Sequence, residues 1–248
     1  MKKLLIIAFL FSIIYADVTY EMETVTQGIM SIGNAIMTIR NFIKGDCMRT
    51  EIKSENSPEG KMGIVTITRL DKGVVWILDT EKKEFLEIPV NEEKFDTDLE
   101  PLDFIPEIKI ERMNETKKIL KVSCTKYLIS ININLENGIM QINQTMWVGK
   151  DFPGYNEIMT FNKKMQSSIN GTTIPGLDNK IFKELQKRIS EIDGFPMEME
   201  LTVNIDSEGT QIEMKSANII KKLSTVPISD RVFEIPEGYT PKTILGTE

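Results

Sequence analysis

Apolar and polar residues take turns along much of this chain. Val18, Tyr20 and Met22 alternate with Thr19, Glu21 and Glu23, the period-two pattern of a strand with one dry face and one wet face. Ile29–Ile32 and Ala35–Ile39 flank Gly33-Asn34, which predicts a two-residue hairpin turn. Lys44-Gly45-Asp46 turns the chain into a strand over Cys47–Lys53, and Ser54–Gly60 reads as a loop. Gly63–Pro89 then predicts three short strands, with turns at Asp71-Lys72-Gly73 and Asp79–Lys83. The first eighty residues after the N-terminal apolar run therefore predict a continuous antiparallel meander.

The pattern breaks over Val90–Pro106, an acidic, irregular stretch with Pro101 and Pro106. Strands resume at Ile108–Arg112. Tyr127, Ile129, Ile131, Ile133 and Leu135 alternate with Leu128, Ser130, Asn132 and Asn134, and Asn137-Gly138 closes a hairpin onto Ile139–Val148. The period then changes from two to 3.6. Ile158, Phe161, Met165 and Ile169 share one face of a helix predicted over Tyr155–Ile169; Ile181, Leu185, Ile189 and Ile192 do the same over Asp178–Ile192. Strands return over Met197–Ile205 and Gln211–Ile220, and Phe233–Tyr239 reads as a final docking segment. These elements predict an α+β fold: a large curved antiparallel sheet, a half-barrel, covered by two or three helices. No linker divides it, so residues 17–248 read as a single domain.

Residues 1–16 stand apart. Lys2 and Lys3, the apolar Leu4–Ile14 and the small Ala16 predict a secretory signal peptide. No later run approaches the ~20 apolar residues of a membrane span, so no stable span is expected after cleavage. Without Lys2 and Lys3 the charge is 28 − 37 = −9. An acidic balance argues against a nucleic-acid partner, which calls for clustered Lys and Arg.

Histidine is absent, and with it the usual general base, the usual metal ligand and the His-activated nucleophiles. No carboxylate cluster has calcium-site spacing, and no phosphate loop or Cys-x-x-Cys is present. The expectation is no enzyme, no cofactor and no metal. Two cysteines remain, Cys47 and Cys124. In an oxidising compartment they could form a disulfide or stay as two buried thiols, and both alternatives stay open.

At this point several motifs resemble a family of secreted bacterial proteins with a domain of unknown function. They are Phe42-Ile43-Lys44-Gly45-Asp46-Cys47-Met48-Arg49, Arg69-Leu70-Asp71-Lys72-Gly73-Val74-Val75-Trp76-Ile77-Leu78-Asp79, Phe85-Leu86-Glu87-Ile88-Pro89, Cys124-Thr125-Lys126-Tyr127, Trp147, Gly194-Phe195-Pro196 and Phe233–Tyr239. Two departures are visible. Phe85 stands where Tyr is usual, and Lys121-Val122-Ser123 stands where the family tends to carry a Gly-containing run. That family in turn resembles the lipoprotein-localisation carrier fold, the LolA/LolB-like half-barrel. The resemblance implies an apolar cavity for acyl chains and a periplasmic location. It also implies that Arg49, on an early strand, acts as a latch that hydrogen-bonds carbonyls of a helical lid; the residue pattern alone equally allows an outward arginine on a wet strand face.

The candidate lining of such a cavity is Val18, Tyr20, Met22, Trp76, Leu78, Tyr127, Ile129, Ile131, Ile133, Trp147, Met197, Met199, Leu201 and Val203. The same residues could equally pack a closed core. The chain beyond residue 16 keeps 14 − 1 = 13 Met against 11 − 2 = 9 Phe, and flexible thioethers suit a surface that repacks around apolar guests. The expectation is a non-enzymatic periplasmic carrier for a lipophilic ligand, a lipid or an acylated protein. The alternative is a periplasmic module with a closed core that binds or senses an envelope protein.

Overall fold

The computed structural model describes residues 17–29, 33–54, 63–90, 107–135, 137–168, 187–207 and 209–242. The leader, the acidic stretch over 91–106, the loop at 55–62 and most of the second predicted helix lie outside the described residues.

Six strands form the expected meander: β1 (Val18–Ile29), β2 (Gly33–Lys44), β3 (Cys47–Ser54), β4 (Gly63–Arg69), β5 (Val74–Asp79) and β6 (Glu84–Pro89). A second run follows with β7 (Glu107–Ile119), β8 (Val122–Leu135) and β9 (Gly138–Gly149). Helix α1 (Tyr155–Ser168) and a helical stretch over 187–190 separate it from β10 (Phe195–Ser207) and β11 (Thr210–Ser224). A 3-10 turn (Asp230–Phe233) and the two-residue β12 (Thr240–Pro241) end the described chain.

The strands make one twelve-stranded sheet in the order β12-β6-β5-β4-β3-β2-β1-β11-β10-β9-β8-β7. The hairpin β10–β11 joins the two runs, pairing with β9 on one side and β1 on the other. Every pairing is antiparallel except β12 with β6. The end strands β7 and β12 do not pair with each other, so the sheet stays open. Register shifts interrupt the pairings of β1, β7 and β10, and such bulges bend strands and add twist. The fold is thus the α+β class expected, built on an open sheet.

Two elements differ from the reading of the sequence. Gly33 pairs with Ile29 and belongs to β2, so Gly33-Asn34 is strand rather than turn. Strand β7 runs seven residues past Arg112, through Met113-Asn114-Glu115-Thr116-Lys117-Lys118, which has no apolar alternation. It is an edge strand, exposed on most positions, and needs no greasy face there.

Strand register assigns each side chain to a face. Val18, Ile43, Met48 and Thr68 are successive partners on one face; Trp76, Ile67, Arg49 and Phe42 are successive partners on the other. Helix α1 lies on the first, here the inner face, where Ile158 and Phe161 pack with Val18, Tyr20 and Ile43. The segment around the 3-10 turn lies on the outer face of β2–β6, where Ile228 and Phe233 pack with Val65, Ile67, Trp76 and Leu78.

Candidate functional site

Twelve of the fourteen candidate lining residues divide among three clusters, which Leu201 and Val203 do not join. Val18, Tyr20, Met22 and Met197 gather beneath α1, with Trp147 on the margin. Tyr127, Ile129, Ile131, Ile133 and Met199 gather with Ile189 and Ile192 of the second helical region. Trp76 and Leu78 do not join either group. They face the outer side and pack on the C-terminal segment, with Trp76 Nε1 donating to Glu87 Oε2 at 2.7 Å. Their strand alternates correctly, but period two does not say which phase faces which layer. Trp147 pairs across to Lys126 and Glu198, one position out of phase with the buried Met146 and Val148. The ammonium groups of Lys117 and Lys126 sit over its ring at 4.3 and 5.8 Å, so it serves as a cation–π platform.

Several of the remaining candidates are packed core rather than open wall. Val18 is 0% exposed, Met197 1%, and Ile129 and Ile133 2% each. Leu201 and Val203 continue the inner-face rows and are half-buried: Ile110, Ile129, Gln144 and Leu201 form one row, and Ile108, Ile131, Ile142, Val203 and Met214 the next.

Space opens where the two inner clusters meet. A groove of about 1050 Å³ runs between the β7–β8 hairpin and the chain entering α1. Its apolar surface comes from Val122 and Phe152 at the edge of the α1 cluster and from Tyr127 and Val148 at the edge of the other. One lip carries Arg112, Leu120, Lys121, Ser123 and Thr125; the facing lip carries Lys150, Asp151, Pro153, Glu191 and Asp193. Lys150 pairs with Asp193, which also accepts a bond from the Tyr155 hydroxyl at 3.4 Å. That pairing holds the Asp193 carboxyl below, and the Lys150 ammonium above, their ordinary ranges. Of the fourteen candidates only Tyr127 lines this groove.

The hairpin on the first lip is held in a costly shape. Ile119 pairs with Val122, leaving Leu120-Lys121 as a two-residue turn with φ of +47° and +70°. Positive φ at both positions is the type I′ geometry for which Asn-Gly is the favoured pair. Leu and Lys each pay ~1–2 kcal/mol to sit there. Asp151 on the other lip is also left-handed at +54°. This was the signal available in the sequence. Lys121-Val122-Ser123 had departed from a Gly-containing run, and the structure places that departure at a turn that favours glycine.

Arg49 does reach a carbonyl, but not one of α1. Its Nε donates to Glu51 Oε1 at 2.9 Å and its Nη1 to the Val232 oxygen at 3.3 Å, in the 3-10 turn on the outer face. Arg69, absent from the candidates, does more. It bonds both Asp71 oxygens at 2.9 and 2.7 Å, Glu234 at 2.5 Å and the Phe233 carbonyl at 3.3 Å. The two arginines fasten the C-terminal segment to the sheet.

In the structure Cys47 and Cys124 are both free thiols, Cys124 buried and Cys47 half-buried. Cys47 opens β3 and Cys124 lies near the start of β8, with five strands between theirs in the sheet. Burial pushes the Cys47 thiol up to about 11, and the Cys124 thiol is raised for the same reason, so neither is poised as a nucleophile. Among the described residues no three His, Cys, Asp or Glu side chains are grouped to hold a metal ion, and no helix is long and apolar enough to cross a membrane.

The open α+β sheet thus carries apolar clusters on both faces and a groove at the seam of two of them. The family model described as a domain of unknown function, DUF4412, matches residues 21–239, and the chain belongs to that family. No curated protein matches it significantly. Among solved structures it is similar to a domain from Vibrio parahaemolyticus provisionally described as an outer membrane lipoprotein-sorting protein. Identity is 9%, coverage 88% of this chain and 89% of that one, and the TM-score 0.32. A DUF1329 family protein from Desulfovibrio piger gives 12% identity, coverage of 89% and 90%, and a TM-score of 0.31. At these scores neither likeness carries weight for function.

Proposed function

We propose that this protein is a non-enzymatic binding or carrier protein for a lipophilic ligand, acting in the bacterial periplasm after removal of residues 1–16. The observation that carries the reading is the groove of about 1050 Å³ at the seam between the α1 cluster and the Ile129–Ile133 cluster. Ligand pockets run ~300–1,000 Å³, so the space is of the right order for an acyl-bearing guest. Tyr127, Val148 and Phe152 at its floor each continue into a packed apolar cluster. Each CH₂ transferred from water to such a surface contributes ~0.8 kcal/mol, so acyl burial supplies affinity without many polar contacts.

Titration with a phospholipid that carries a fluorophore on its acyl chain tests this. A saturable rise at one lipid per protein is the expected result. A linear, unsaturable response would overturn it.

A second reading, a partner-binding module, rests on a different observation. Ile77 pairs across to Leu86 on the inner face, Ile64 on β4 is its diagonal neighbour, and Ile64 and Ile77 are 43% and 36% exposed. Replacing both with Thr would weaken capture of an envelope protein and leave lipid uptake unchanged.

A further inference from the structure

The groove has a charge pattern that the carrier reading does not require. On the β7–β8 lip stand Arg112 and Lys121; on the facing lip stand Asp151 and Glu191. Among the described residues none of these four is engaged in an ion pair, although sixteen ion pairs are formed elsewhere or between other residues of the groove, such as Lys150 with Asp193. Two free cations on one wall face two free carboxylates on the other. A ligand with one sign of charge would meet repulsion from one lip. A ligand carrying an anion and a cation a few atoms apart would meet a partner on each.

We infer that the groove binds the head of a zwitterionic phospholipid of the phosphoethanolamine class, with its phosphate on Arg112 and Lys121 and its ammonium on Asp151 and Glu191. Arginine suits the phosphate because its guanidinium presents paired donors to two oxygens, and Lys121 adds a point charge. Ser123 and Thr125 on the same lip supply hydroxyl donors. The acyl chains run from there over Tyr127 and Phe152. The turn Leu120-Lys121 supports the assignment independently. Left-handed backbone at two residues that carry side chains is a strain that persists where a function holds it. Here it puts an apolar Leu120, 43% exposed, and the Lys121 ammonium together at the lip. An amphiphile needs that pairing and an Asn-Gly turn would lack it.

This inference rests on the carrier reading, and one experiment separates the two. The protein is incubated with vesicles of phosphatidylethanolamine and phosphatidylglycerol in equal parts, recovered by gel filtration, and its bound lipid extracted and identified. The wild type should carry phosphatidylethanolamine in preference. Arg112→Gln should bind either lipid about tenfold more weakly, the scale of one lost charge-assisted bond. Asp151→Asn with Glu191→Gln should lose the preference for the amine and keep phosphatidylglycerol. The double change Leu120→Asn, Lys121→Gly should raise the urea midpoint while lowering lipid uptake, so loss of binding there cannot be laid to unfolding. If the wild type carries lipid and the groove variants carry it equally, the inference fails and the carrier reading stands. If the wild type carries none, both fail.

Discussion

At Arg69 a side chain only 11% exposed holds Asp71, Glu234 and a backbone carbonyl at once. Removing it orphans groups that were placed for it, but the carboxylates are 39% and 49% exposed and water recovers part of the loss. Arg69→Met should therefore cost ~1–3 kcal/mol, read as a lower urea midpoint at unchanged slope. The same contacts fix a pH dependence. Arg69 holds the carboxyls of Asp71 and Glu234 below their ordinary values. A carboxylate depressed in the folded state stabilises the protein above its unfolded pKa of ~4, and that contribution is lost as pH falls through the folded value. Stability should drop below about pH 4 by less in Arg69→Met than in the wild type. Arg69 and its near partner Asp71 stand in one family motif, yet the fastening role was not legible, because its partners in the C-terminal segment lie 164 and 165 positions away. Tyr20 poses the opposite case. Burial pushes its hydroxyl up to about 12, and among the described residues it has no hydrogen-bond partner. Tyr20→Phe removes a buried group without a bond and should change stability by less than ~0.5 kcal/mol, or raise it.

Elements were legible where period and turn chemistry agreed. Strands β4, β5 and β6 fall where Gly63–Pro89 predicted them, and α1 begins at Tyr155 as predicted. Phase was harder to read. Trp147 and Met146 are neighbours in a strand with apolar residues on both parities, and only the partners Lys126 and Tyr127 show which one faces in. The motif Gly194-Phe195-Pro196 gains a physical reason from the structure. Gly194 sits at φ +144°, and a Cβ there would stand 2.3 Å from Val148 Cγ1 and 3.0 Å from the Gly149 oxygen. Gly194→Ala should push β10 away from the end of β9 and cost ~2 kcal/mol or more. Faster amide exchange over Phe195–Met199 than over β11 would locate the damage. In α1, Phe161 is 1% exposed against Val18 and Ile43, and Phe161→Ala should cost ~3–5 kcal/mol by thermal or urea melting.

For the molecule as a whole, alternation revealed the sheet but not that both of its faces bury apolar side chains. The chain covers the outer face of β2–β6 with its own C-terminal segment, so Trp76 and Leu78 are committed to core. The inner face is divided into two packed clusters, and space lies at their seam rather than along the strands that alternate best. Alternation could not find that seam, because its lips are turns and strand ends with mixed charge. The departure of Lys121-Val122-Ser123 from a Gly-containing run was the one local sign. A carrier needs a site that is open and amphiphilic, and a closed core would have needed neither the groove nor its strained lip. The measurement that tests this most directly is native mass spectrometry of the protein purified from a bacterial periplasm, followed by solvent extraction of what it holds. The carrier account predicts a protein mass raised by one lipid or acylated species that the extract then identifies. A bare protein mass, with nothing in the extract, would contradict it.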